Sequence, residues 1–377
     1  MSARAALLIL IMLPAFSGTR PIMERHALLG PDDGPIREVL LTFPPDEFGQ
    51  SSASQEKAKQ RLRGVVDALG LGVNYVVHGY PEHEATIGRV LRDAGAREWK
   101  FVPSAFGFYT LWTQDMFLIQ KHGRQSIWAV PRKLYRRLDD SVGSEIAMRL
   151  NQPVRTLAVP VEGGNLVPFG PLVFAGKDTL LSKDISADDT RRQIVERDIA
   201  PGRRWVWVGT KKPMPIRGSW NGIYQPLFHI DLFLTAVGPV GGSKHHVLVG
   251  SPRTARKFLR LPPEPDDDDQ SYDEIAETLE GQGFLVTRLP LFLDRRSTGM
   301  AVISYNNVLL HWGNGHGTVY LPRYGQDNHR LEQLDLYAAG IYQRLGYTVR
   351  FVDGPFNELA TNFGSLRCMV LVTRRAQ

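Results

Sequence analysis

Four short segments of the chain combine side chains capable of acid–base or nucleophilic chemistry. They are Trp112-Thr-Gln-Asp115, Glu162-Gly-Gly-Asn165, His229-Ile-Asp231 and Arg367-Cys368-Met369. Together they supply a thiol, an imidazole and three carboxylates. Each segment alone is weak evidence for a site, so the chemistry depends on whether the segments meet.

His229 and Asp231 stand two positions apart in an apolar stretch, 227–234. The pattern predicts a strand, in which both side chains would point to the same face. Two polar groups on one face of an apolar strand are costly unless they are paired or used. A buried His–Asp hydrogen bond that serves only structure is the alternative interpretation.

The carboxylates Asp115 and Glu162 also have suggestive neighbours. Asp115 lies between Trp112 and the apolar run 116–118, which is an unfavourable setting for an idle charge. Glu162 precedes two glycines, which allow a ligand or another backbone segment to come close. An ordinary turn would explain the same glycines.

Cys368 is the single cysteine of the chain and lies in a stretch, 366–372, that is expected to form a strand. Disulfides within the chain and multi-cysteine zinc or iron–sulfur sites are therefore excluded. A lone cysteine is usually a small buried apolar residue. It becomes a candidate nucleophile only in combination with the other segments.

If the segments converge, three anions in one desolvated pocket require a cation. The cation could be a metal, because histidine and carboxylates bind zinc, manganese or iron. It could also be a guanidinium, whose planar N–H donors match carboxylate oxygens. The thiol favours the guanidinium, because its resonance-stabilised carbon requires a strong nucleophile and a metal-dependent hydrolase does not need one.

The remaining sequence alternates apolar β-branched runs with longer amphipathic ones, which indicates about five helix-plus-strand units and an α/β architecture. Predicted strands are 38–43, 73–77, one near Val154, one near Phe174, 205–208, 284–287 and 349–352. Predicted helices are 54–69, 144–150, 188–197, 271–279 and 330–345. The glycine-rich segment 313–317 is expected to form a tight hairpin, since it lacks the context of a dinucleotide-binding loop.

Composition narrows the functional classes further. Of 377 residues, 43% are hydrophobic and 22% charged, as expected of a folded chain with a large core. The net charge of +6 is small and dispersed, so nucleic acid is not an expected partner. Asp266 to Asp269 could attract calcium, but calcium loops usually alternate their ligands and turn at a glycine.

Residues 1–18 have the order of a signal peptide: a charge at Arg4, an apolar run, Pro14 and then small residues. They predict a secreted or periplasmic protein. Translation from Met12 or Met23 is the alternative, and it would leave the protein in the cytoplasm. The apolar run is shorter than the ~20 residues of a membrane span, so no stable membrane span is expected.

The four segments, in this order, resemble the motifs of the pentein superfamily of guanidine-modifying enzymes. Segments 112–116 and 229–234 resemble those of protein-arginine deiminases, 367–369 resembles that of free-arginine deiminases, and 318–325 is similar to a segment of agmatine deiminases. Many superfamily members carry arginine where this chain has Gln114.

The resemblance implies a five-bladed α/β propeller with pseudo-fivefold symmetry, formed by residues 30–377 as a single catalytic domain. It also implies the roles of the site residues, with no metal and no cofactor. Asp115 and Asp231 would bind the guanidinium, Cys368 would attack it, His229 would transfer protons, and Glu162 would orient His229. Trp112 and Asn165 would line the substrate pocket.

The implied reaction is hydrolysis of a guanidino group to a ureido product and ammonia through a covalent thiouronium on Cys368. The expected substrate is peptidyl-arginine, if the protein is secreted, or agmatine or free arginine. Arg217, Arg323 and Arg367 are candidates to bind a substrate carboxylate, although each could be a solvated surface group. Amidino transfer, a non-catalytic binding protein and a metal-dependent hydrolase remain alternatives, and the oligomeric state is open.

Overall fold

The computed structural model describes residues 27–49, 51–123, 125–131, 137–180, 189–214, 223–238, 245–262, 269–296, 299–313, 316–326 and 328–376. The predicted signal segment 1–18, both alternative start methionines, Arg217 and the aspartates 266–268 lie outside these ranges.

The described residues contain eighteen strands. They are β1 (Ala27–Leu28), β2 (Ile36–Phe43), β3 (Asn74–Gly79), β4 (Glu98–Pro103), β5 (Leu118–His122), β6 (Gln125–Val130), β7 (Val154–Thr156), β8 (Leu166–Phe169), β9 (Leu172–Gly176), β10 (Arg204–Val208), β11 (Leu234–Val237), β12 (His246–Ser251), β13 (Leu285–Arg296), β14 (Gly299–Ser304), β15 (Leu309–Gly313), β16 (His316–Pro322), β17 (Tyr347–Val352) and β18 (Val370–Arg375).

The same residues contain eleven α-helices. They are α1 (Pro45–Gly49), α2 (Ser52–Leu69), α3 (Glu84–Asp93), α4 (Thr113–Met116), α5 (Arg137–Arg149), α6 (Asp189–Ile199), α7 (Pro252–Leu259), α8 (Asp269–Gly281), α9 (His329–Arg344), α10 (Phe356–Thr361) and α11 (Leu366–Met369). Short 3-10 turns span Pro31–Asp33, Pro81–His83, Gly163–Asn165, Lys177–Leu180 and Ile230–Leu232.

The strands form five sheets with one shared plan. In each sheet an antiparallel pair is followed by a helical crossover and a strand that adds in parallel. The five series are β18-β2-β3, β5-β6-β7, β8-β9-β10, β11-β12-β13 and β15-β16-β17. We call each series with its helix a module.

The first module is completed by the C-terminus of the chain. Strand β18 pairs antiparallel with β2, with Val370 opposite Leu41 and Leu371 opposite Leu40. The chain therefore closes on itself, and residue 368 is brought beside the first module. The five modules agree with the predicted number of helix-plus-strand units.

Helix α9 illustrates why the crossover segments are helical. The side chain of Asn328 caps its first turn by accepting hydrogen bonds from the backbone N–H groups of Arg330 and Leu331. Its buried residues recur every three or four positions, so one face packs against the sheet. The predicted helix 330–345 is confirmed within one residue at each end.

Two local predictions about the site segments are wrong. His229 and Asp231 do not lie on a strand, because a 3-10 turn at Ile230–Leu232 precedes β11. Cys368 lies in α11, and the strand begins only at Val370. Alternating or continuous apolar residues cannot distinguish a buried turn from a buried strand, so composition alone gives the wrong element here.

Several other boundaries also differ from the predictions. Helix α5 begins at Arg137, seven residues earlier than predicted at 144, and β13 continues well beyond 287. The predicted hairpin is confirmed by the antiparallel pairing of Gly313 with His316. No helix within the described ranges is both long enough and apolar enough to cross a bilayer.

Candidate active site

The chemistry-bearing residues occupy equivalent places in the modules. The first strand of each antiparallel pair is preceded by a short segment, which we call the entry turn. The five entry turns are 113–116, 162–165, 229–232, 305–308 and 365–369, preceding β5, β8, β11, β15 and β18. All four sequence motifs fall on entry turns, so the repeated fold gathers residues that are distant in the sequence.

The entry turns contact one another inside the molecule. Helix α4 packs against α11 and against the turn Gly163–Asn165, which in turn packs against Ile230–Leu232. Asp115 and Asp231 both lie close enough to influence the charge state of Cys368 and of His229. The structure therefore brings the thiol, the imidazole and the carboxylates into one buried cluster.

His229 is almost completely enclosed, with 1% of its surface exposed. Its Nε2 lies 2.7 Å from Glu162 Oε2, and its Nδ1 lies 3.9 Å from Asp115 Oδ1. Burial disfavours a charged imidazole, but Asp115, Glu162 and Asp231 outweigh burial and raise the pKa of His229 above its usual value. A protonated His229 can donate a proton to a leaving group.

Gly164 makes this close approach possible. A Cβ atom at this position would stand 2.4 Å from His229 Nδ1, which is too close for any side chain. The backbone N–H of Gly164 also donates a hydrogen bond of 2.9 Å to Asp115 Oδ1. The Gly-Gly pair after Glu162 thus lets the imidazole lie against the backbone and holds the carboxylate of Asp115.

Cys368 is 5% exposed, and its sulfur contacts Asn307. Burial raises the pKa of the Cys368 thiol well above its usual value, and the negative charges of Asp231 and Asp115 raise it further. These surroundings therefore favour the neutral thiol of Cys368 and the protonated imidazole of His229. A cation placed against the two aspartates would offset their effect and favour the thiolate.

Asp231 is held by an arginine of the same chain. Arg367 Nη1 donates to Asp231 Oδ2 at 2.9 Å, and Arg367 Nη2 donates to the backbone oxygen of Leu166 at 3.0 Å. Burial raises the pKa of Asp231 to about 6, while Arg367 and His229 pull it in the opposite direction. The alternative that Arg367 is a solvated surface group is therefore wrong, because its side chain is largely buried.

The other carboxylate oxygen of Asp231 is less well satisfied than the one that Arg367 holds. Its Oδ1 is buried and makes no well-formed hydrogen bond with the described residues, although Asn307 is near enough to favour the ionised carboxylate. A cavity of about 90 Å³ adjoins Asp231 and Arg367, whereas Cys368 and His229 do not line it. An N–H donor of a bound cation would satisfy this oxygen.

Trp112 and Asn165 support the cluster from its sides. The ring of Trp112 lies over Gly364, where an added Cβ would come within 2.2 Å of it. Asn165 Oδ1 accepts hydrogen bonds from Ile230 N–H at 3.2 Å and from Gln225 Nε2 at 3.0 Å. Asn165 therefore braces the turn that carries His229 and Asp231.

Asn307 is a member of the cluster that the sequence motifs did not reveal. It lies in the entry turn before β15 and is fully buried. The usable signal was positional, because each recognised motif precedes the first strand of a unit and the Asn306-Asn307 pair does the same. Two asparagines otherwise indicate an ordinary turn.

Two other charged residues singled out in the sequence, Asp269 and Arg323, pair with charged residues of the chain itself. Asp269 of the acidic run is paired with Arg256 at 3.0 Å and accepts from the backbone of Arg253 at 2.8 Å. Arg323 faces Asp353 and Glu332 and stacks on Phe351. Within the described ranges, no group of three His, Cys, Asp or Glu side chains is arranged to hold a metal ion.

Known proteins share this fold without close sequence similarity. No protein-family model matches the chain, and neither does any curated protein. The solved structure of the C. jejuni agmatine deiminase matches with a TM-score of 0.67 and 14% identity, covering 93% of this chain and 98% of that one. The agmatine deiminase of Enterococcus faecalis matches with a TM-score of 0.63 and 14% identity, covering 92% and 95%.

These matches span nearly the whole of both chains, and they confirm the predicted α/β pentein architecture. The protein thus has the fold of these two solved agmatine deiminases.

Proposed function

We propose that the protein is a cysteine-dependent deiminase that hydrolyses a guanidino group to a ureido product and ammonia. The observation that carries this proposal is the burial of Cys368, His229, Asp115 and Asp231 on entry turns that pack against one another. Such a site needs a cation to become active, and a guanidinium supplies both the charge and the electrophilic carbon.

In the proposed reaction Asp115 and Asp231 bind the guanidinium and fix its plane. The charge of the bound substrate favours release of the Cys368 thiol proton to solvent, and the resulting thiolate attacks the central carbon. His229 donates its proton to the departing nitrogen, which leaves as ammonia, and a thiouronium remains on Cys368. His229 then takes a proton from water, which attacks the same carbon and releases the ureido product with free Cys368.

Glu162 has the position of an orienting group in this scheme. Its carboxylate accepts from His229 Nε2 and stabilises the imidazolium. About a quarter of the Glu162 side chain is exposed, compared with almost none of His229. Glu162 therefore stands on the open side of the imidazole.

The substrate we propose is a guanidino compound without a carboxylate near its guanidinium, such as agmatine. Recognition of free arginine requires a cation for its carboxylate. Of the candidate arginines, the two that lie in the described ranges are already paired, Arg367 with Asp231 and Arg323 with Glu332 and Asp353. The likeness to structures titled agmatine deiminase adds support. Peptidyl-arginine, the expectation for a secreted protein, also lacks a free carboxylate and is retained as the second candidate.

All five entry turns contribute residues to the cluster or lie beside it, which supports treating residues 30–377 as one catalytic domain. The decisive experiment offers the purified protein agmatine, free arginine and an arginine-containing peptide blocked at both ends. Ammonia and ureido product are then measured. We expect both from agmatine and neither from Cys368→Ser, whose side chain has nearly the same shape.

Two outcomes would contradict the proposal. If Cys368→Ser retained full activity, the thiol would not be the nucleophile. In amidino transfer, the amidino group of agmatine would pass to a second amine. If agmatine and a second amine gave the corresponding diamine and no ammonia, the reaction would be amidino transfer. Activity confined to the blocked peptide would keep the chemistry and replace the substrate.

A further inference from the structure

Asn307 has the same place in the fifth module that the recognised residues have in the other four. It stands two residues before β15, as Cys368 stands two residues before β18 and Asp115 three residues before β5. In the other modules the entry turn supplies a carboxylate, an imidazole or the thiol. The fifth module supplies a carboxamide.

The carboxamide of Asn307 contacts Cys368 at two points. Asn307 Nδ2 lies 3.2 Å from the sulfur of Cys368, and the backbone N–H of Cys368 donates to Asn307 Oδ1 at 3.2 Å. Two contacts to one residue fix both the backbone and the side chain of the nucleophile. Asn307 is fully buried, so water does not compete for these contacts.

The backbone contact also determines which way the amide faces. The N–H of Cys368 can only donate, so it must meet the oxygen of the Asn307 amide. The NH₂ group then necessarily faces the sulfur. A donor in this position stabilises negative charge on sulfur more than it stabilises the neutral thiol.

A donor beside the sulfur opposes the effect of the negative charges around it. Burial, Asp231 and Asp115 all raise the pKa of the Cys368 thiol, whereas Asn307 and the backbone of Ser365 act in the opposite direction. Asn307 also favours the ionised form of Asp231. The same amide therefore assists the nucleophile and one of the carboxylates that would bind its target.

The entry turn that carries Asn307 is rigidly attached to the turn that carries Asp231. Asn306 Nδ2 donates to Thr235 Oγ1 at 3.0 Å and to the backbone oxygen of Leu248 at 3.1 Å. Ser304 Oγ accepts from Asn306 N–H at 3.1 Å and donates to the backbone oxygen of Leu232 at 2.6 Å. These bonds fix the segment before Asn307 relative to the 3-10 turn that carries Asp231.

We propose that Asn307 is the fifth module's contribution to the site, a positioning residue whose amide N–H holds the sulfur of Cys368 and favours its thiolate form. The inference rests on the proposed role of Cys368 as nucleophile. It adds a residue to the site that none of the four sequence motifs contains.

The test uses the fact that Cys368 is the only cysteine in the chain, so alkylation of the whole protein by iodoacetamide reports this one sulfur. The rate constant is measured against pH for the wild type, Asn307→Ala and Asn307→Asp. Asn307→Asp nearly preserves the shape and keeps the oxygen that accepts from Cys368 N–H, but it replaces the donor. Asn328→Ala, which removes a helix cap far from the sulfur in the sequence, controls for a general loss of stability.

We expect the pH at which alkylation accelerates to rise by about one unit in Asn307→Ala, so that the rate below it falls about tenfold. Asn307→Asp should be slower still once its carboxyl ionises, and Asn328→Ala should match the wild type. A wild-type profile for Asn307→Asp would overturn the inference, because the acceptor alone would then suffice. If Asn307→Ala fails to fold, Asn307→Asp decides.

Alkylation needs no substrate, which separates this inference from the proposed function. If the expected profiles are found while no guanidino compound is hydrolysed, the proposed function fails and the role of Asn307 stands. If agmatine is hydrolysed, kcat should fall in Asn307→Asp by at least the factor seen in alkylation, with KM changed by less than about threefold, since Asn307 contacts the sulfur. A change confined to KM would contradict the inference.

Discussion

Arg367 donates a hydrogen bond of 2.9 Å to Asp231, and the residue that follows it in the chain is Cys368. A guanidinium of the protein itself therefore occupies one edge of the carboxylate to which we assign the substrate. Asp231 Oδ1 is left without a well-formed hydrogen bond among the described residues, and Arg367 offsets part of the carboxylate's charge before any substrate arrives. This arrangement limits the repulsion among three neighbouring carboxylates and keeps Asp231 ionised at neutral pH.

The pH dependence of activity should show the effect of Arg367 on the pKa of Asp231. Because the pKa of Asp231 is about 6, kcat/KM for the guanidino substrate should fall as the pH decreases below about 6. In Arg367→Met the pKa of Asp231 should rise, and the acidic limb should move upward by about one pH unit. Arg323→Met, which removes an arginine of the fifth module whose side chain is one third exposed, should leave the pH of the acidic limb unchanged.

The comparison needs only steady-state rates from pH 4.5 to 9 in about ten steps, with folding checked by circular dichroism. An acidic limb at the same pH in Arg367→Met and the wild type would show that Arg367 does not control Asp231.

Replacement of His229 should trap the covalent intermediate. Glutamine keeps a polar group beside Glu162 but can neither donate a proton to the departing nitrogen nor take one from water. Both halves of the reaction should slow, and the second should stall, because solvent can protonate the departing nitrogen but hydroxide is scarce at neutral pH. Incubation of His229→Gln with substrate should add to the protein the mass of the substrate less ammonia. Intact-mass spectrometry measures this addition, and Cys368→Ser treated in the same way should show none. An unmodified His229→Gln protein that still turns over would contradict the role of the imidazole.

Gly164→Ala should disturb the site without disturbing the fold. The new Cβ would meet His229 Nδ1 at 2.4 Å, so the imidazole must move away from Asp115 and Glu162. We expect kcat to fall at least about a hundredfold, because a displacement of about 1 Å at a reacting group has effects of this size. The melting temperature and the rate of product formation are measured together.

Gly340→Ala is the matched control for that substitution. Its Cβ would meet only the end of the Arg344 side chain at 3.5 Å, within helix α9. Alanine at this helical position should leave the rate unchanged and add up to about 1 kcal/mol to the free energy of unfolding. Equal losses of activity in Gly164→Ala and Gly340→Ala would refute the steric argument.

Stability should depend on pH through Asp231. Burial raises the pKa of this carboxyl from 3.8 to about 6, so the folded protein binds the proton more tightly than the unfolded chain. The stabilisation from the protonated form is complete below about pH 4 and is lost as the pH rises through about 6. Each unit of pKa difference corresponds to about 1.4 kcal/mol.

The measurement is the free energy of urea unfolding of the wild type minus that of Asp231→Asn, at several pH values. This difference should decrease as the pH rises from about 4 to about 6 and should then become constant. Other carboxyl groups cancel in the subtraction. A difference that is flat across this interval would show that the carboxyl of Asp231 titrates normally.

The amino-acid sequence was sufficient to predict the fold class and four of the five places where chemistry is concentrated. Helices such as α9 have an apolar face, and strands such as β2 are short apolar runs, so local patterning identifies them. The motifs around Asp115, Glu162, His229 and Cys368 were visible because polar residues in apolar surroundings are costly unless they are used.

Tertiary structure decided what those residues do to one another. The turns at Ile230–Leu232 and Leu366–Met369 could not be told from strands, because a buried turn and a buried strand have the same apolar composition. The pairing of Arg367 with Asp231 joins residues 136 positions apart, and that of Asn307 with Cys368 joins residues 61 apart. Contacts between residues so far apart in the sequence depend on how the modules pack together. Local sequence patterns do not determine that packing.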